Sequence, residues 1–125
     1  MGRVAAMTSL VFICHGNICR SPMAERVAKK MADERQLDLD VTSYALAGDE
    51  LGSPIDHRAQ AALTRAGYDG DGHRARRITA DVIESADLVV AAEPHQVEQL
   101  RRMSPGSDNV HLLNDFNPAL APGTP

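Results

Sequence analysis

Apolar positions fall into two kinds of segment that alternate along the chain: short uninterrupted runs and longer stretches with helical spacing. Leu10-Val11-Phe12-Ile13 is wholly apolar with β-branched and aromatic members, the pattern of a strand buried on both faces of a parallel sheet. Ser21 then offers an N-cap and Pro22 a favoured first helical residue. Met23, Val27 and Met31, backed by Ala24, Ala28 and Ala32, recur on one face of a helix predicted to reach Gln36. Residues 40–45 read as a second strand and Gly48, Gly52 and Pro54 mark a loop. A helix over 56–66 closes on Gly67, placed for a left-handed C-cap. Thr79 caps a short helix through Ser85, Leu88-Val89-Val90-Ala91-Ala92 repeats the buried-strand pattern, and Pro94 opens a helix to Met103. Val110-His111-Leu112-Leu113 is a last strand, and residues 117–125, with three prolines, are irregular. This alternation predicts an α/β fold, a doubly wound, four-stranded parallel sheet flanked by helices, with one sheet face partly uncovered after the last strand.

Composition narrows the function. A chain of 125 residues, 43% of them apolar, supports one domain with one core. No apolar run approaches the roughly 18 to 20 residues of a bilayer span, and the first nine residues lack the pattern of a signal peptide, so a cytoplasmic protein without a membrane partner is expected. Two cysteines, Cys14 and Cys19, are too few and too close for a secreted disulfide framework and suit reduced thiols. A net charge of −4 and only four Phe and Tyr side chains argue against nucleic acid. The dense basic stretch His73-Arg74-Ala75-Arg76-Arg77 reads as a solvated loop on an acidic protein.

The chemistry concentrates between the first strand and the first helix, in Cys14-His15-Gly16-Asn17-Ile18-Cys19-Arg20-Ser21. Ligands of an open parallel sheet sit beyond the carboxyl ends of its strands, where a helix N-terminus presents unpaired N–H groups and a partial positive charge. With Cys14 closing the strand, the backbone of His15, Gly16, Asn17, Ile18 and Cys19 can cradle a tetrahedral oxyanion, and Arg20 adds a bidentate guanidinium clamp. The same positive surroundings favour the Cys14 thiolate, a nucleophile. Phosphoryl transfer through a cysteinyl phosphate, without metal or organic cofactor, suits this arrangement. Cysteine and arginine five residues apart recur by chance; Gly16, Asn17, Cys19, Ser21 and Pro22, set between a buried strand and an amphipathic helix, make the pattern specific.

The run from Val11 to Pro22 resembles the signature of the low-molecular-weight protein tyrosine phosphatases. The likeness continues through Met23-Ala24-Glu25, through Gly52-Ser53-Pro54-Ile55-Asp56-His57-Arg58-Ala59, and through His73-Arg74-Ala75-Arg76-Arg77-Ile78-Thr79. The resemblance implies a single phosphatase domain over residues 8–125 after an N-terminal extension, 1–7. It implies Cys14 as nucleophile, Arg20 as transition-state clamp and Ser21 as hydroxyl donor to the thiolate. Asn17, Ser43 and His73 match a hydrogen-bonded network that braces the loop, an exposed loop histidine being the other reading of His73. Ile18 matches the aliphatic residue of tyrosine-directed members, where phosphoarginine phosphatases carry threonine, or else it packs beneath the loop. Cys19 matches a second cysteine that in several relatives forms a reversible disulfide with the nucleophile; a passive buried thiol is the alternative. The implied substrate is phosphotyrosine on protein or a small aryl phosphate, with inorganic phosphate as product.

Three positions depart from the family pattern. Its general acid is an aspartate in an Asp-Pro-aromatic loop after the fourth strand. No such triplet occurs in this sequence and Asp115 lies too early, so a domain lacking the acid loop and last helix is expected. After Ser43 the family supplies an aromatic wall for the substrate ring, whereas here Tyr44-Ala45-Leu46 is followed by Asp49-Glu50 at the rim, which would repel acidic phosphopeptides. Glu93 stands where an aspartate is usual. The competing functions are an impaired or non-catalytic phosphate- or phosphotyrosine-binding module, favoured if the acid is absent, and an arsenate reductase, disfavoured because no cysteine follows Cys19.

Overall fold

In the computed structural model, which describes residues 7–119 and 123, strands and helices follow the predicted alternation. They are β1 (Thr8–Cys14), α1 (Arg20–Glu34), β2 (Leu39–Ala45), α2 (His57–Arg65), α3 (Ala80–Ser85), β3 (Leu88–Ala91), α4 (Pro94–Met103) and β4 (Val110–Leu112), with a 3-10 turn over Leu113–Phe116. The sheet order is β2-β1-β3-β4 and every pair is parallel. Residues 1–6 of the expected N-terminal extension, and most of the expected irregular stretch beyond residue 119, lie outside the described residues.

The apolar runs lack polar alternation because both sheet faces are covered. On one face Val11, Ile13, Val89, Ala91, Val110 and Leu112 pack against Ile83 of α3 and Val97 and Leu100 of α4. On the other, Phe12, Val41 and Val90 lie beneath Ala24 and Ala28 of α1. Helix α1 turns a second apolar side, Met23 and Val27, towards Ile55 and towards Ala59 and Leu63 of α2. Small alanines therefore meet the sheet and larger side chains meet α2. Burying a side chain such as Leu100, 0% exposed, is worth about 1.5–3 kcal/mol. Between β1 and β3 the α1 face keeps an apolar recess of about 160 Å³ bordered by Phe12, Met23, Ala24, Val90 and Leu113. No helix among the described residues is long and apolar enough to cross a membrane.

Local signals set most ends. The Asp56 carboxylate accepts from the N–H groups of Arg58 and Ala59 at the start of α2, and Thr79 accepts from Val82 at the start of α3. Gly67 closes α2 with φ 88°, where a side chain would be strained. Three expectations are corrected. Ser21 is not an N-cap: α1 begins at Arg20 with Cys19 as N-cap, because the Ser21 hydroxyl bonds to Cys14 and Asn17 instead. Met31 is 39% exposed, since the nine residues of α2 cover only part of the fifteen of α1. Leu113 starts the 3-10 turn, as the parallel pairing of β4 stops at Leu112.

Candidate active site

Cys14 ends β1 beside Ala45 of β2, and the pairing runs on into the loop through Leu46 N–H to Cys14 O (3.1 Å) and Ala47 N–H to His15 O (3.0 Å). From the other side Asp56 N–H donates to Ile18 O at 2.7 Å. A Cβ on the buried Gly16 would meet Glu50 Cγ at 3.4 Å, so a side chain there would press on the neighbouring loop. Asn17 has φ 58°, a left-handed conformation that asparagine tolerates better than most residues. Among the described residues none of the backbone N–H groups of residues 16–19 donates to a protein acceptor. Together with the first turn of α1 they form a concave set of donors suited to a tetrahedral oxyanion.

Behind this cradle lies a buried hydrogen-bonded chain. Asn17 Oδ1 accepts from the Arg76 backbone N–H (3.1 Å), so its amide nitrogen faces the two serines. Asn17 Nδ2 donates to Ser21 Oγ and to Ser43 Oγ, both at 2.9 Å. Ser43 passes its own proton to Glu25 Oε1 at 2.8 Å. Ser21, already accepting from Asn17, keeps its hydroxyl proton available for Cys14 Sγ at 3.0 Å, and its backbone N–H donates to that sulfur at 3.4 Å. His73 Nε2 meets Asn17 O at 2.6 Å; a carbonyl only accepts, so the ring carries its proton on Nε2. His73 is 6% exposed, which excludes the exposed-loop reading. Glu25, at 4%, is held further by Arg26 Nε at 3.2 Å and Lys29 Nζ at 3.6 Å.

The mouth is built from polar side-chain pairs at the surface. Arg20 Nη1 donates to Glu93 Oε1 at 2.7 Å, which leaves the rest of the guanidinium fork for an anion. His15 Nε2 meets Asp49 Oδ2 at 3.2 Å, with both side chains 68% exposed. Cys19 is exposed rather than buried, correcting the passive buried thiol. Although the residue is exposed overall, part of its thiol is shielded beside the loop, and that desolvation pushes its pKa up; the Asp56 and Cys14 charges add to the rise and Arg20 opposes it. Asp115 Oδ1 accepts from Gly123 N–H in a recess lined by Pro94, Val97, Arg101 and His111.

The fold thus brings together Cys14, Asn17, Ser21, Ser43 and His73, as expected for a braced loop, with Arg20 at its rim. Sequence reasoning gave no role to Glu25 and none to Glu93. Glu25 carried a signal: it lies one helical turn after Ser21 and between the apolar pairs Met23-Ala24 and Val27-Ala28, where an unpartnered carboxylate would be costly. Glu93 was marked only as standing where an aspartate is usual, and nothing local pointed to its contact with Arg20, which spans 73 positions.

Residues 9–123 match the family described as low molecular weight phosphotyrosine protein phosphatase. A low molecular weight protein-tyrosine-phosphatase of Streptomyces coelicolor is 37% identical over 117 residues, covering 90% of this chain and 71% of that one. The Homo sapiens low molecular weight phosphotyrosine protein phosphatase is 33% identical over 119 residues, covering 90% and 75%. The crystal structure of YfkJ from Bacillus subtilis superposes with a TM-score of 0.91 at 29% identity, covering 98% of this chain and 79% of that one. With residues 9–123 matched by the family model and the fold superposing over nearly the whole chain, the chain belongs to the low molecular weight phosphotyrosine protein phosphatase family.

Proposed function

We propose that this chain hydrolyses aryl phosphomonoesters, above all phosphotyrosine on proteins, through a cysteinyl phosphate. Cys14 Sγ attacks phosphorus and forms the S–P bond as the bond to the aryl oxygen breaks. Water then attacks the same phosphorus, releasing inorganic phosphate and returning the thiolate. The observation that carries the reading is the buried chain from Glu25 through Ser43, Asn17 and Ser21, which sets the hydroxyl and the backbone N–H of Ser21 against one sulfur beneath a ring of N–H groups. In this reading the N–H groups of residues 15–20 bind the phosphoryl oxygens and Arg20, tethered by Glu93, closes on them as charge shifts in the transition state. In this reading the aliphatic Ile18 favours phosphotyrosine esters over the N-linked phosphate of phosphoarginine, and two free thiols suit a reducing compartment, the cytoplasm.

The phosphatase domain is assigned to residues 8–125, which hold no Asp-Pro-aromatic acid. Acting alone, these residues leave the departing oxygen to its own basicity. p-Nitrophenyl phosphate is therefore expected to turn over about a hundred- to ten-thousand-fold faster than phosphotyrosine. Equal rates would mean that a carboxylate of this chain supplies the proton, Asp49 and Asp115 being the candidates. The direct test of the function is Cys14→Ser: hydrolysis of both substrates is lost while orthophosphate still binds, because the backbone cradle and Arg20 survive. Turnover retained in Cys14→Ser would sink the assignment.

A further inference from the structure

The basic stretch that reads as a solvated loop in the sequence is folded against α1. Gly72, His73, Arg74 and Arg76 form one wall of a recess of about 310 Å³ whose other wall is Glu25, Arg26 and Lys29. Four permanent cations face one carboxylate there, a surplus of three positive charges on a protein whose net charge is −4. Glu25 is also spoken for, since its Oε1 accepts from Ser43. Arg26 Nε lies 3.2 Å from Glu25 Oε2, yet its N–H is not aligned on that oxygen, and this buried donor has no hydrogen-bond acceptor among the described residues. A buried N–H without an acceptor is costly and is usually met by water or an anion.

The walls are preorganised. Glu25 and His73 are 4% and 6% exposed and belong to the network behind Cys14. Arg76 is pinned by Nε donating to Ser43 O at 3.3 Å and by stacking 4.3 Å over the Tyr44 ring, which leaves the ends of its guanidinium free. Arginine forks match the oxygens of phosphate, and a recess of this volume is at the small end of ligand pockets.

We propose that this recess is a second oxyanion site, separate from the Cys14 loop, which takes a small multiply charged phosphate ion such as orthophosphate or pyrophosphate. The test is a titration of the ¹⁵N-labelled chain with each ion, followed by amide shifts. Two groups of amides are expected to respond, residues 15–21 and residues 25–29 with 72–76, saturating at different concentrations. The variant Arg74→Ala removes an exposed cation whose one hydrogen bond among the described residues is to the His73 carbonyl, with no hydrogen bond to Glu25, Ser43, Asn17, Ser21 or Cys14. It is expected to weaken the second response several-fold with either ion and to leave the first unchanged. Shifts confined to residues 15–21, or a second response indifferent to Arg74→Ala, would overturn the proposal. A lost first response with the second intact would count against the Cys14 reading alone.

Discussion

The two sides of the Cys14 loop are built on different physics. Behind it, Asn17 and Ser43 are 0% exposed, Ser21 2%, Glu25 4% and His73 6%, and each polar group has a fixed partner. In front, the Arg20 side chain is 54% exposed and the His15 and Asp49 side chains 68%, with Arg20 paired to Glu93 and His15 to Asp49 at the surface. Leaving one buried donor or acceptor unpaired costs about 1–3 kcal/mol, whereas an exposed ion pair is worth about 0–1 kcal/mol. Cys14 is therefore held from behind, and the front stays open to solvent.

The largest break in this contrast is expected from Asn17→Ala. It strips partners from Ser21, Ser43 and the Arg76 N–H and puts alanine at φ 58°. A stability loss of about 2–4 kcal/mol in urea unfolding and a fall in kcat of at least about a hundredfold should follow. A kcat within about threefold of wild type would show that the chain behind the loop does not govern the chemistry.

Glu25→Gln is the intermediate case. An amide can turn to donate to Ser43, and the carboxylate end of the buried chain is lost. About a tenfold drop in kcat with little change in KM is expected, and Glu25→Asp, which keeps the charge, should recover part of it. A change confined to KM would move Glu25 out of the positioning role.

The smallest effect belongs to the rim. Asp49→Asn removes an exposed charge, so kcat for p-nitrophenyl phosphate should stay within about twofold of wild type. KM for acidic phosphopeptides should fall several-fold at low salt, with the difference erased near 1 M salt, where the screening length is about 3 Å. Persistence of the difference at high salt would point to a direct contact rather than a field.

The same contrast explains what could be read from the sequence. β1 and the cap at Thr79 are local patterns, with each partner within a few positions, and they stand where expected, while Asp56, read as the first residue of its helix, is the N-cap of α2. The family pattern placed Ser43 and His73 behind the loop, and the buried geometry agrees with that placement. Partners set by tertiary packing were not legible. Whether Met31 is covered depends on where α2 ends, and the Arg20–Glu93 pair depends on the parallel pairing of β1 with β3, which sets the loop beside the start of α4. Ser21 was misread because its side chain suits both a helix cap and a thiolate, and only the fold shows which neighbour claims it.

The central claim, that the buried contacts of Ser21 rather than the rim govern the reactivity of Cys14, is tested most directly by the rate of Cys14 alkylation with iodoacetamide at neutral pH, read by peptide mass spectrometry. Cys19, whose pKa is raised by desolvation, keeps its proton beyond the ordinary thiol range and serves as the slow internal reference. The account predicts that Ser21→Ala slows Cys14 alkylation about tenfold or more, while Asp49→Asn matches wild type. Unchanged alkylation in Ser21→Ala, or equal slowing in Asp49→Asn, would contradict it.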